Sequence, residues 1–94
     1  MPAKGVCIIP SGITVIYRIV NSLDYYVFLQ PNSKLILTSK IANSNIVVNY
    51  NIWGPGNLEI QANVTVNASL EAPDKAALAG LPNYTYTKDI IEDL

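Results

Sequence analysis

The sequence predicts an all-β fold, a small antiparallel β-sandwich or barrel of about six to seven strands. Three features of the 94-residue chain predict this class. Half of the residues are hydrophobic, short runs rich in valine, isoleucine and tyrosine follow one another, and turn-forming residues separate those runs. Because the length is that of one domain, we assign residues 1–94 to a single all-β domain.

The predicted strands follow in chain order between turn signals. They comprise residues 5–9, 13–20, 25–30, 34–39, 45–53 and 57–70, with turns at 10–12, 21–24, 31–33, 41–44 and 54–56. Each strand carries the β-branched and aromatic residues that fit a pleated sheet. In the turns, proline presets φ at the second position, and glycine or asparagine accepts the positive φ that follows.

The last quarter of the chain has a different composition. Pro73 and Gly80 bracket an alanine-rich segment and predict a short helix near 73–79. Residues 83–87 are suited to one more short strand, and the residues after Thr87 suit either one helical turn or a frayed terminus. We expect the segment 83–94 to be a candidate for extension from the domain, or for exchange with a neighbouring copy.

A weak internal repeat favours a different architecture. Proline and two small turn residues precede a strand in PSGITVI, PNSKLIL and PGNLEI, at spacings of 21 and 24 residues. Rungs of a β-solenoid have such a period. Because ordinary hairpin turns give the same pattern, the solenoid is the minor alternative.

Residues 58–70 alternate between hydrophobic and polar at all thirteen positions. One straight strand of this length would span roughly 43 Å, whereas a globule of this size is roughly 32 Å across. The run therefore predicts a bend between sheets, an elongated molecule, or a strand that pairs with a neighbouring copy. Its polar face carries no lysine, the residue that often protects an edge strand, and this favours pairing with a neighbour.

The composition argues against several classes of function. Without histidine and without a phosphate-binding glycine loop, the chain is expected to have no enzyme activity, no metal site and no cofactor. Six scattered basic residues and a net charge of −1 predict no nucleic-acid binding. We expect no membrane span and see no signal peptide. The single cysteine, Cys7, has apolar neighbours and is predicted to be buried.

Two groups of residues are candidate sites. Asn63, Asn67 and Asn83 each begin an N-x-[ST] sequon and are candidate N-glycosylation sites. The candidate interface residues are aromatic or aliphatic side chains beside the glycine-rich turn or in the C-terminal segment: Trp53, Tyr84, Tyr86, Ile90, Ile91 and Leu94.

The charged fraction of 14% makes electrostatic repulsion between copies weak. Several strands are also apolar on both faces, which indicates that a partner covers one of them. We therefore predict a structural subunit of an extracellular assembly, foremost a virion protein of a capsid, tail or fibre. Its expected partners are copies of itself and other structural proteins. The alternatives are a carbohydrate-binding or adhesion module that binds glycans through exposed aromatic residues, and a small inhibitor that captures a partner by β-augmentation.

Overall fold

The structure, a computed structural model, describes residues 5–19, 24–41, 46–61, 64–66, 79–81 and 83–93. These residues form nine strands: β1 Val6–Ile9, β2 Thr14–Ile19, β3 Asp24–Leu29, β4 Lys34–Ser39, β5 Ile46–Trp53, β6 Asn57–Ile60, β7 Val64–Val66, β8 Asn83–Thr85 and β9 Ile90–Asp93. The described part of the chain contains no helix, so its all-β class is confirmed. Of the helix predicted near 73–79, residues 73–78 lie outside the described residues.

The strands form two sheets, and every described pairing is parallel. The strand order is β7-β5-β3-β1-β8 in the first sheet and β6-β4-β2-β9 in the second. From β1 to β6, successive strands alternate between the two sheets. Each coil of the chain therefore adds one strand to each sheet. This arrangement is a two-sheet β-solenoid with the rungs β1–β2, β3–β4 and β5–β6 stacked in chain order.

The prediction of an antiparallel sandwich or barrel is wrong. Each turn after β1, β3 and β5 carries the chain into the other sheet, so Val6 pairs with Tyr26, twenty residues later, in a parallel ladder. The crossover that a parallel pair requires runs here through a strand of the other sheet. Hydrophobic alternation has the same period in parallel and antiparallel strands, and therefore did not reveal the direction. The pairing is that of the β-solenoid alternative.

Two turns stack on each other to form one corner of the solenoid. Ile13 and Ser33 each donate a backbone N–H to the carbonyl three residues earlier, at 3.1 Å. The preceding residues, Gly12 and Asn32, have φ of 83° and 63°, as a type II turn requires at its third position. Gly12 N also donates to the carbonyl of Asn32 at 3.0 Å, so the ladder continues through the corner.

The hydrophobic core lies between the two sheets. Alternate residues of β1 to β5 point inward, and their side chains are at most 2% exposed: Cys7, Ile9, Val15, Tyr17, Ile19, Val27, Leu29, Leu35, Leu37 and Ile52. A fully buried large aliphatic side chain contributes about 1.5–3 kcal/mol, so this column is the main stabilising element. Cys7 is free and buried, as predicted.

The alternating run 58–70 is not one strand. β6 ends at Ile60 in the second sheet, and β7 begins at Val64 in the first. The chain thus changes sheets between these residues, which is the first of the three alternatives. The bend fits the run into a molecule of 37 × 27 × 20 Å. Residues 62, 63 and 67–70 lie outside the described part of the run.

The strands β8 and β9 form a rung that is out of chain order, which we call the C-terminal rung (residues 83–93). β8 pairs with β1, with Asn83 opposite Val6, and β9 pairs with β2, with Ile90 opposite Val15. The strand predicted within 83–87 is therefore confirmed. The helical turn or frayed terminus predicted after Thr87 is wrong, because Ile90–Asp93 is a strand.

Candidate interaction surfaces

A solenoid ends in strands whose outer backbone groups have no ladder partner. Among the described residues, β6 and β7 lie at one end of the stack, which we call the β6 end. The strands β8 and β9 lie at the opposite end, which we call the β9 end. Because an unpaired strand edge can accept another strand, both ends are candidate interaction surfaces.

The edge of β6 presents backbone donors and an aliphatic side chain. The N–H groups of Asn57 and Gln61 donate to carbonyls on the β4 side, at 3.0 and 2.9 Å. Successive N–H groups of a strand point to opposite sides, so those of Leu58 and Ile60 point to the outer edge. Ile60 is also 44% exposed although it shares the inward parity of Leu58. The edge can therefore pair through its backbone and bury an apolar side chain at once.

An apolar recess of about 170 Å³ lies at the corner of the same end. Its walls are Leu29, Ile52, Trp53, Gly54, Gly56 and Leu58. Ile52 belongs to the buried core and Leu58 packs against that core. The recess therefore reaches the hydrophobic column between the sheets, which identifies it as the open part of the β5–β6 rung.

An aromatic pair lies on the outer face of the first sheet. Phe28 and Trp53 are opposite each other on β3 and β5, with ring centroids 5.5 Å apart and planes inclined by 51°. Both side chains are half-buried, and so is Tyr26 on the same face of β3. Mutual packing covers part of the Trp53 ring, and its other part faces outward beside the recess.

At the β9 end, hydroxyl groups form a chain inside the solenoid. The hydroxyl oxygens of Tyr17 and Tyr86 are 3.1 Å apart, and Tyr86 donates to Glu92 Oε1 at 3.4 Å. A phenol has one proton, so Tyr17 is the donor in the first of these bonds. Glu92 is in register with buried Tyr17, which directs its carboxylate inward. An inward-pointing charge on an edge strand opposes the addition of a further strand.

Burial sets the protonation of these groups. It raises the pKa of the Tyr17 and Tyr86 phenols and of the Cys7 thiol above their ordinary values. All three are therefore neutral at neutral pH, which suits hydrogen bonding inside a core and not nucleophilic or acid–base chemistry. Within the described ranges, no group of three or more His, Cys, Asp or Glu residues could hold a metal ion.

The structure distributes the candidate residues over several environments. Asn83 is exposed on β8, and Ile91 is 60% exposed on β9. Tyr84 and Ile90 pack partly against the core, whereas Tyr86 is only 9% exposed. Asn63, Asn67 and Leu94 lie outside the described residues.

Three residues of these surfaces were not singled out from the sequence. Ile60 appeared as one of many apolar residues in the alternating run 58–70, and Tyr17 as one residue of the predicted strand 13–20. Glu92 lay in the segment after Thr87, for which a helical turn or a frayed terminus was predicted. Glu92 is two residues from Ile90 and so lies on the same face of a strand. This spacing is the signal that could have indicated an inward carboxylate.

Comparisons of the chain with protein-family models, with curated proteins and with solved structures give no significant match. The described residues include no helix that is long and apolar enough to cross a membrane.

Proposed function

We propose that this protein is a structural subunit that associates with further copies of itself by β-strand addition, in an extracellular assembly such as a virion. The observation that carries the proposal is the outer edge of β6. There the N–H groups of Leu58 and Ile60 point outward, and the exposed Ile60 side chain lies on the same strand as a wall of the apolar recess. An added strand would bond these backbone groups and cover the side chain.

The charge distribution supports self-association. Only 14% of the residues are charged, and the net charge is −1, so two copies repel each other weakly. Glu59, the one charged residue of β6, lies 3.4 Å from Lys34 Nζ on β4. A second copy that approaches this edge therefore meets a compensated charge. The low charge and the ten asparagines of the sequence support an extracellular setting.

The decisive experiment replaces Ile60 by proline. Proline removes the outward N–H of residue 60 and retains the bonds that Asn57 and Gln61 make to the β4 side. We expect sedimentation equilibrium to show concentration-dependent association of the wild type. In Ile60→Pro the dissociation constant should rise at least about tenfold, which corresponds to ~1.4 kcal/mol.

A matched pair of lysine variants tests the side chain. Ile60 and Ile41 are 44% and 45% exposed, but Ile41 follows β4 and lies outside the strands. Ile60→Lys should weaken association, because it places a charge on the edge, and Ile41→Lys should not. A wild type that stays monomeric at its highest concentration, or equal association of all variants, would overturn the proposal. A monomer that binds an added foreign strand peptide would instead indicate the β-augmentation inhibitor.

Carbohydrate binding is the second candidate function. The observation that favours it is the half-buried Phe28–Trp53 pair on the outer face of the first sheet, next to the recess. Aromatic side chains with a few polar neighbours are typical of small-ligand sites. Trp53→Ala should abolish binding on a glycan array while the variant stays folded, and an array without hits for the wild type removes this candidate.

A further inference from the structure

The C-terminal rung is held by one surface of the solenoid. Its strands make their substantial strand contacts with β1 and β2. Tyr86 N donates to the carbonyl of Ile8 at 3.2 Å, and Thr14 N donates to Asp89 Oδ1 at 2.9 Å. With the Tyr17–Tyr86 hydroxyl bond, these contacts all join the rung to the first rung of the chain.

The surface that receives the C-terminal rung is organised without it. β1 pairs with β3, and β2 pairs with β4 over its whole length, from Thr14 opposite Lys34 to Ile19 opposite Ser39. β3 and β4 follow β1 and β2 directly in chain order. Their pairing holds β1 and β2 with their core side chains directed inward. The acceptor edge is therefore defined by residues 5–19 and 24–41, whichever segment covers it.

The chain between β7 and the C-terminal rung is long enough to serve two acceptors. β7 and β8 are the outermost strands on opposite edges of the first sheet, four strand spacings or roughly 19 Å apart. The sixteen residues 67–82 that connect them can reach roughly 50 Å when extended. This length permits the rung to dock on the first rung of its own chain or on that of an adjacent copy.

The rung has a smaller share of the core than the central rungs: Tyr86 belongs to the core cluster, and Tyr84 and Ile90 pack partly against it. Of its two strands, β8 has three residues and β9 has four, and Glu92 directs a carboxylate inward where the other rungs carry apolar side chains. Elements with few apolar contacts open at lower free energy than the central core. We therefore expect opening of the rung to need less free energy than unfolding of the contiguous rungs.

We infer that the C-terminal rung, residues 83–93, is exchanged between copies of this protein, so that the rung of one copy covers the β1–β2 edge of another. A second copy is the occupant because its own segment 83–93 reproduces each contact to Ile8, Thr14 and Tyr17. Reciprocal exchange needs no new interface chemistry and gives a closed pair. The inference rests on the proposed function in one respect, that copies of the chain meet.

The outer row Ile91, Ile16 and Ile36 provides a direct test. Ile16 is opposite Ile91 on β9 and opposite Ile36 on β4. In a Cys7→Ala background, Ile16→Cys/Ile91→Cys joins the C-terminal rung to its acceptor, and Ile16→Cys/Ile36→Cys joins two contiguous rungs. Both variants are concentrated, oxidised and separated on a denaturing gel without reductant. We expect bands at twice the chain mass for the first variant and only intrachain disulfides for the control.

The outcomes separate the inference from the proposed function. If the wild type associates in sedimentation and the Ile16/Ile91 variant still forms only intrachain disulfides at high concentration, the exchange is overturned and strand addition at β6 stands. Interchain bands in both variants would also overturn it, since they show random cross-linking. A strictly monomeric wild type, together with an Ile16→Cys/Ile91→Cys variant that forms no interchain band, overturns both.

Hydrogen exchange gives a readout that does not depend on cysteine variants. Detachment of the C-terminal rung predicts that amides of β9 exchange earlier than those of β4, at a rate independent of global unfolding. Exchange of β9 and β4 together, in one cooperative event, would contradict a detachable rung.

Discussion

The turn after β5, which we call the third turn, packs directly on the turn after β3, the second turn. Gly54 is the residue that permits this close packing. Gly54 has φ of +108°, and a Cβ at this position would overlap the carbonyl oxygen of Leu29 and lie 2.9 Å from Phe28 Cε1. The nearest obstacle is backbone and cannot rotate away. Gly54→Ala should therefore destabilise the protein through both its conformation and its contacts.

The structure sets the expected magnitude. A non-glycine residue in the left-handed region costs about 1–2 kcal/mol, and an overpacked methyl group adds about 1–3 kcal/mol. The expected loss for Gly54→Ala is thus about 2–5 kcal/mol. A small domain has a free energy of unfolding of about 5–15 kcal/mol, so the loss is large enough for equilibrium measurement.

Two other glycines serve as controls: Gly12 isolates the conformational cost, and Gly80 has neither cost. Gly12 has φ of +83°, but nothing lies within 4 Å of its added Cβ, so Gly12→Ala should lose only about 1–2 kcal/mol. Gly80 has neither a positive φ nor an atom within 4 Å of its Cβ. Gly80→Ala should leave stability unchanged, or raise it by up to about 1 kcal/mol through the unfolded state.

Urea unfolding followed by circular dichroism measures all three variants against the wild type. The order of stability should be Gly80→Ala, then Gly12→Ala, then Gly54→Ala, with equal m-values. If Gly54→Ala loses no more than Gly12→Ala, the third turn does not pack on Leu29. The stacking of the third rung on the second would then be refuted.

Three further predictions concern buried and exposed polar groups. Burial raises the pKa of the Cys7 thiol, so a disulfide reagent at pH 8 should react only as fast as the protein opens; immediate reaction would contradict burial. Burial also raises the pKa of Tyr17 and Tyr86, and the folded state therefore holds these protons more tightly than the unfolded state. Their contribution to stability is full below the unfolded pKa of about 10 and is lost as pH rises above it. Tyr86→Phe should therefore flatten the fall of the urea midpoint at alkaline pH. An unchanged fall would exclude Tyr86 as its cause. Asn83 is exposed at the start of a sequon, so peptide mapping of native material should find a glycan there if the protein matures outside the cell; unmodified Asn83 would count against that setting.

The C-terminal segment shows where sequence patterns stop being informative. A strand within 83–87 was predictable from its tyrosines and threonines, but β9 was not, because Glu92 and Asp93 are poor strand formers. Their strand conformation depends on the ladder offered by β2, which begins 75 residues earlier opposite Ile90. The hydroxyl chain to Glu92 depends on the same long-range pairing.

The candidate surfaces were predictable only in part. The low charge, the absence of lysine on the polar face of 58–70 and the Trp53 position are all visible in the sequence. Which strands lie at the ends of the stack is not visible there. Ile60 is an edge residue because β6 is the last strand of its sheet, a fact of topology and not of its neighbours in sequence.

The sequence by itself determined the strands β1 to β5, the start of β6, the turns at 10–12, 31–33 and 54–56, and the burial of Cys7. These features depend on local conformational preferences and on a period of two, which adjacent residues specify. The tertiary structure decided that the ladders are parallel, that the run 58–70 divides between two sheets, and that the C-terminal rung covers the β1–β2 rung. Those outcomes depend on which edges meet after the chain has coiled, because a strand's pattern defines its two faces but not its partner or its direction.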